Sequence, residues 1–540
     1  MKRRDFLTAA ACAPLVACAP RGDPPLPPGE LQGSGLAIGH RLEKRAFAPP
    51  AEVRSIPVLV IGAGIAGLSA GWKLQGAGFG DFLIAEMESE PGGNSRYGEN
   101  AVSAYPFGGH YLPLPTREST AVRELLADLG ALHGDARAAR PVYDELLLCQ
   151  TPQERLYQDG FWQEGLMPRL GVSAAERAQM ARFQEHMAEL KETRDAHGRR
   201  AFALPVALSS RAAKWRDLDR ISMRAWLLAA GYDSAHLHWY VNYACRDDYG
   251  TDYSAASAWA GLHYFSCRTG AAANAAADTV LTAPSGNGWI VKALAQRLGG
   301  RLLPGATVFR LTQDRHGVAA DIWLAAEDRA VRIQAERVIW SSPLFLLPHI
   351  AEGLPPAIAA TARDGSYAPW LVANLTLDEL PADGAGVSLA WDNVLYGSPG
   401  LGYVVATHQR LQRNMGPTVL TYYRALVDSE PAVARRQLLE TPREYWASGI
   451  LAELSRAHAD LPRLTRRLDV FRNAHAMIRP LPGVITGAGR AALAQGWGRV
   501  QFAHADVSGV SLFEEANYQG VRAAEAVLRQ LGVRHSSSLS

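Results

Sequence analysis

Three glycines and one acid carry the first recognisable chemistry of this chain: Gly62, Gly64 and Gly67, then Glu86 19 residues later. Glycines at the G-x-G-x-x-G spacing let a backbone turn tightly, approach a pyrophosphate and pack a helix closely on a strand. The phosphates then rest at the helix N-terminus, whose unpaired N–H groups and dipole favour negative charge. An acid ~20 residues further on accepts from a ribose hydroxyl. Together these four residues support dinucleotide binding; a Rossmann-like unit with an empty crevice would carry the same pattern.

The elements that must position them follow from patterning. Residues 58–61 (VLVI) read as a strand buried on both faces, 66–74 as a helix and 82–85 as a second strand ending at Glu86. A second organised block closes the chain. Residues 500–503 read as a buried strand, Asp506 follows in a turn, and Ser511 with Glu514 has the S-x-x-E form of a capping box. Ala516, Gly520, Ala523, Ala524, Val527 and Leu528 then share one helical face, small enough to lie against the first unit.

Beyond Glu86, Pro91-Gly92-Gly93-Asn94-Ser95 resembles the second glycine pair of the flavin amine oxidase, phytoene desaturase and protoporphyrinogen oxidase superfamily. The resemblance runs from about residue 56 to 532 and implies FAD as the cofactor. It assigns Gly62, Gly64, Ala66, Gly67, Glu86, Gly92, Gly93, Asn94, Ser95, Val308, Asp506 and Ser511 to the FAD site. Val308 would meet the adenine through its main chain. Asp506 stands near the superfamily's ribityl-binding acid, offset by one residue within Phe502-Ala503-His504-Ala505-Asp506. The terminal helix would point its positive end at the flavin, an interaction of ~0.3–1 kcal/mol. Phe107-Gly108-Gly109-His110-Tyr111 resembles the segment that crosses the flavin face, with His110 either a proton carrier or a hydrogen-bonded structural residue. Ser285 or Asn287 would cap the next helix, Gly299-Gly300 would end it, and 331–340 would form the following strand pair.

Departures from the superfamily matter as much. Glu90 and Asn94 replace two customary arginines, leaving backbone amides, Ser95 or Arg96 for the pyrophosphate. Gly-Gly-Asn also occurs in UDP-galactopyranose mutase, a non-redox flavoenzyme. Amine oxidases usually hold a lysine near flavin N5, but no lysine follows Lys292, and Trp370 would take that place. Tyr403 and Trp497 are the candidates for the aromatic pair facing the flavin, each equally placed as core.

The organisation expected is α/β (α+β overall): a Rossmann-like FAD-binding domain (55–140, 280–343, 486–533) with an interleaved sheet-plus-helix substrate domain (141–279, 344–485). An aromatic-rich segment from Trp239 to Phe265 would line a pocket or fill a core. Residues 1–19 resemble a twin-arginine export signal, with Arg3-Arg4 before a short apolar stretch, and 20–54 read as a Pro-rich tether. The expected location is the periplasm, reached through the twin-arginine translocase. Cys18 would be lipidated as in a lipobox, or cleavage would follow the small residues around it. With a net charge of +2 and no basic run past the N-terminus, nothing argues for nucleic acid. Cys149, Cys245 and Cys267 lack metal-site spacing, so no metal is expected; they are buried thiols, or Cys245 and Cys267 are bridged. The resemblance implies hydride transfer from a small-molecule substrate to flavin N5, with oxygen or a quinone as acceptor. The substrate is an amine or an apolar compound desaturated at a C–C bond; a flavin isomerase and an FAD-binding partner protein without turnover stay open.

Overall fold

Chain segments distant in sequence meet in two sheets. The computed structural model describes residues 25–33, 35–44, 46–411 and 416–539. The signal segment, Cys18 and the start of the expected tether lie outside the described residues. The rest of that stretch is no tether. β1 (Leu31–Gly33) runs parallel to β12 (Thr465–Ile478), and Glu30 N–H donates to Asp469 at 2.8 Å. As the edge strand, β1 pairs its backbone with β12 on one side only. α1 (Leu36–Glu43) follows and buries Leu42.

The first sheet holds β2 (Glu52–Ile61), β3 (Phe82–Ala85), β5 (Ala306–Gln313), β6 (Val318–Leu324), β7 (Arg329–Trp340) and β13 (Val500–Phe502), with Leu302–Leu303 beside β3. β3, β2, β7 and β13 are parallel, and their register brings Ala85, Ile61, Trp340 and Phe502 to one level. Ligands of open α/β sheets bind outside such a row of carboxyl ends. Alternating side chains serve two cores: Val58, Val60 and Ile84 face helices, while Leu59, Ile61 and Trp340 face β5 and β6. The stretch 331–340 is one long strand, not a strand pair, because its whole length zips to β2 from Val331 opposite Glu52 onward.

α2 (Ile65–Gly76) follows the glycine turn, and α6 (Gly288–Leu298) and α8 (Phe513–Gln530) pack beside it. α8 starts one residue later than its sequence signal, with the N-cap at Leu512 rather than Ser511. Leu512 is its N-cap without a side-chain bond, since the Ser511 hydroxyl accepts from Ile478 N–H at 3.1 Å. The expected capping box is therefore absent, and Ser511 ties the helix to β12 instead.

The second sheet has nine strands among the described residues. Its centre is β12, β8 (Tyr367–Leu377), β11 (Thr418–Ala425), β10 (Tyr403–Val405), β9 (Asp392–Leu395) and β4 (Glu154–Gln158) in that order. Strand parity divides its faces. Leu371, Tyr403 and Tyr422 pack behind it with α7 (Arg443–Leu454), while Trp370, Val372 and Tyr423 face a helical layer. That layer includes α3 (Ala174–Glu192), α4 (Ala235–Tyr249) and α5 (Ala258–Cys267). α3 starts at a formed Ser173–Glu176 capping box. All three cysteines are buried and free, so Cys245 and Cys267 are not bridged. No described helix is long and apolar enough to cross a membrane.

Candidate functional site

The glycine turn closes on a second glycine pair. Gly62 has φ +101°, open to glycine, and its N–H donates to Ala85 at 2.8 Å. Gly92 N–H donates to Ala63 O at 2.8 Å, and Gly64 bridges Gly92. A Cβ built on Gly64 would find nothing nearer than Gly93 Cα, 4.0 Å away, and Gly93 and Asn94 are exposed. The wall between the two motifs is thus bare backbone, the surface a pyrophosphate requires. Ser341 braces it from β7, its hydroxyl donating to Gly62 O at 2.7 Å, a contact the sequence did not announce.

Glu86 stands across this turn. One carboxylate oxygen accepts from Ala63 N–H at 2.6 Å and the other from Glu88 N–H at 2.9 Å; burial raises its pKa. Ala306 N–H donates to Glu86 O at 2.7 Å, which starts β5, the strand of Val308, beside the acid. Arg96 pairs with Glu88 at 3.3 Å and lies against Gly92. Asn94 turns away from the cradle: it accepts from Asn473 at 2.9 Å and donates to Ala476 O on β12. Ser95 is buried beside Gly109, whose N–H donates to Asn94 O at 2.8 Å. Asn287 occupies the N-cap of α6 but does not cap it. Its amide donates to Tyr111 O at 2.9 Å, and its carbonyl oxygen is buried without a partner among the described residues. The bare cradle, the acid and this orphaned oxygen fit a dinucleotide of FAD's form, which Gly64, Gly92, Gly93, Ser95 and Glu86 would hold.

Two expected FAD contacts have other partners. Asp506 Oδ2 accepts from Tyr367 Oη at 2.6 Å and Leu344 N–H at 2.9 Å, while Oδ1 lies 3.0 Å from His504. Burial opposes its charge, but His504 and these donors outweigh that and hold the carboxyl below its usual range. Asp506 therefore joins three segments where a ribityl contact was expected. Ser511 is engaged by Ile478, as above.

The catalytic candidates separate. His110 stacks on Tyr423 with ring centroids 4.5 Å apart and meets Trp391 at 5.6 Å; burial pushes its pKa down to about 4. Tyr423 Oη donates to Gly108 O at 3.1 Å, fastening the glycine loop to β11. Trp370 packs on the same face as Tyr423, with its indole N–H buried and unpartnered among the described residues. Tyr403 does not join them. It points behind the sheet, where its hydroxyl meets His458 at 2.5 Å. Trp497 is likewise remote, packed on the core beneath β13.

What the sequence reading missed is acidic. Glu154 on β4, Asp247 on α4 and Asp392 on β9 gather around Tyr111, Tyr240, Tyr243, Trp391 and Tyr423. Each acid is half-buried, and burial is the largest influence on its proton affinity. Burial and then Asp278 push Glu154 up to about 7. Burial and then Asp248 push Asp247 up to about 7, and burial with Asp247 and Glu154 raises Asp392 well above its usual value. Residues 154, 247 and 392 share no motif, so only the topology could reveal them. In the aromatic segment Trp259 and Tyr249 are core, and Tyr240 and Tyr264 are half-buried against the same core.

Comparison with known proteins defines the class first. Residues 60–129 match the NAD(P)-binding Rossmann-like domain family. Among curated proteins no sequence matches. Solved structures then align over most of the chain. A wild-type putrescine oxidase bound to putrescine matches with TM-score 0.66 and 17% identity, over 88% of this chain and 100% of the other. Cyclohexylamine oxidase from Brevibacterium oxydans IH-35A matches with TM-score 0.63 and 17% identity, over 89% and 100%. A CLA-producing fatty acid isomerase from P. acnes matches with TM-score 0.58 and 13% identity, over 88% and 98%. At these identities the likeness establishes the fold.

Proposed function

We propose that this protein is an FAD-dependent oxidoreductase that oxidises the C–N bond of an amine. The observation that carries the reading is the cluster of Glu154, Asp247 and Asp392 among packed aromatic rings, near the loop of Gly108 and His110. Carboxylates and ring faces together suit an organic cation. FAD, when bound, supplies the acceptor for the hydride lost from the substrate carbon. The chain's own residues do the remainder. Gly64, Gly92, Gly93, Ser95 and Glu86 would hold the dinucleotide; Tyr111, Trp391 and Tyr423 pack as a wall of rings beside His110. An ammonium must lose a proton before its carbon gives up hydride, and His110, kept neutral by burial, offers a ring nitrogen for it. The fold likeness to two amine oxidases supports this reading.

The decisive experiment is anaerobic mixing of the purified holoprotein with amines, polyamines and polyenes while the flavin absorbance is followed. Bleaching by an amine supports the proposal. Bleaching by a polyene alone would replace it with C–C desaturation, which agrees with the absent lysine. A second reading is a non-redox isomerase, favoured by Gly92-Gly93-Asn94 and by the likeness to the fatty acid isomerase. Turnover without bleaching would establish it. The electron acceptor is oxygen or a quinone, and the paired arginines at the start of the chain support export to the periplasm by the twin-arginine translocase.

A further inference from the structure

The rear of the second sheet carries a cavity of about 480 Å³ between α7 and the strands β8 and β11. Leu371 and Tyr422 line it from the sheet, and Trp446, Gly449, Ile450 and Glu453 line it from the helix. Tyr422 and Tyr423 are successive residues on opposite faces of β11, so this cavity lies across the sheet from His110. Its size falls within the about 300–1,000 Å³ typical of small-molecule sites, and such sites pair apolar walls with a few placed polar groups.

Hydrogen bonding around the cavity is one-sided. Glu453, the acid of its lining, is buried and already accepts from Gly400 N–H at 3.2 Å, Tyr422 Oη at 2.9 Å and the Ser398 hydroxyl. Asp428 accepts from Arg424 Nη2 at 3.1 Å. The groups left over are all donors. Trp446 Nε1, on a side chain only 4% exposed, and Arg424 Nε are buried without partners among the described residues. Arg246 brings a second guanidinium: it donates to the O atom of Pro399, a lining residue, and its own Nε is also unpartnered. Buried donors give up water on folding, so nearly all of them find an acceptor. Gly449 keeps the helix side bare, since a Cβ there would meet nothing within 4 Å.

From the cavity and its excess of donors we infer a second ligand site, independent of the amine reading, that binds a small organic monocarboxylate. The carboxylate would accept from Arg424 and Trp446, the guanidinium fork matching its planar pair of oxygens. The hydrocarbon part would lie on Leu371 and Ile450. A cation would find no free acceptor there, and an uncharged apolar compound would leave the donors unpaired.

The test is calorimetric titration of the holoprotein with phenylacetate and octanoate, each beside its neutral amide, phenylacetamide or octanamide. At least one acid is expected to bind ~10-fold or more tightly than its amide. Which of them does so tells an aromatic ligand from an aliphatic one. Arg424→Gln and Trp446→Phe should each weaken that binding ~10-fold or more. Gly449→Leu should abolish it by filling the cavity, and it should melt no lower than the wild type, because leucine is the better helix former. Flavin content should be unchanged in all three variants, whose positions line the rear cavity. If neither acid outbinds its amide, or if acid binding survives unchanged in Gly449→Leu, the inference is overturned. Neither result touches amine oxidation, which is read from flavin bleaching.

Discussion

Gly520 in α8 lies directly against Ala66 in α2: a Cβ at position 520 would come within 2.1 Å of Ala66 O. The two helices are thereby held at backbone contact beside the glycine cradle, with Asn517 Nδ2 donating to Ser69 Oγ at 3.0 Å. In an exposed helix, Gly→Ala would stabilise by up to ~1 kcal/mol. Here Gly520→Ala should destabilise, and Gly520→Leu should cost about 1–3 kcal/mol or more through overpacking. Urea unfolding and the ratio of bound flavin to protein are the measurements. A stabilised Gly520→Ala would show that the helices do not meet as described.

Glu86 controls the cradle through its carboxylate. Glu86→Gln preserves shape but cannot accept from both Ala63 and Glu88 N–H and a ribose hydroxyl with the same charge. FAD affinity should fall ~10–100-fold, read from quenching of flavin fluorescence. Unchanged affinity would remove Glu86 from the site.

The clustered acids make stability fall with rising pH. Asp247 has a folded-state pKa of about 7 against ~3.9 when unfolded, so between these values the folded chain binds more protons. Its contribution is present below pH ~4, declines as pH rises, and is gone above about 7. Asp247→Asn removes the charge and should flatten that slope, raising the melting temperature by ~2–4 °C at pH 8 relative to pH 4 comparisons. Melting curves of both proteins across that range decide it; parallel curves would show that Asp247 is not held in a poorly solvated place.

Asp506 acts in the opposite sense. Its carboxyl is held below the usual range, so its contribution is present above pH ~4 and lost as pH falls. Asp506→Asn should cost about 1–3 kcal/mol at pH 7, and Tyr367→Phe about 0.5–1.5 kcal/mol. A double-mutant cycle in denaturant would show coupling between them; strictly additive losses would mean that the 2.6 Å bond contributes nothing.

The first βαβ unit was legible because its determinants are local. The apolar run, the glycines and Glu86 fall within a few tens of residues, and each element's signal agrees with the next. Ser511 misled because a hydroxyl that can cap a helix can equally accept from a distant strand, and Ile478 N–H won it. Tyr403 and Trp497 were left open between flavin face and core, because aromatic character does not reveal which face of a layer a side chain occupies; both pack in cores.

The sequence by itself determined the dinucleotide-binding framework, since glycine, acid and strand must sit at fixed offsets for a backbone to cradle a pyrophosphate. Only the tertiary structure decided the acid cluster. Glu154 and Asp392 are 238 residues apart, and no local rule makes them neighbours until β4 and β9 pair in parallel register. Tyr423 rather than Tyr403 faces His110 because strand parity and the position of the second sheet choose the side. Local offsets specify a turn and a helix; the meeting of remote side chains is set by how whole strands are ordered and packed.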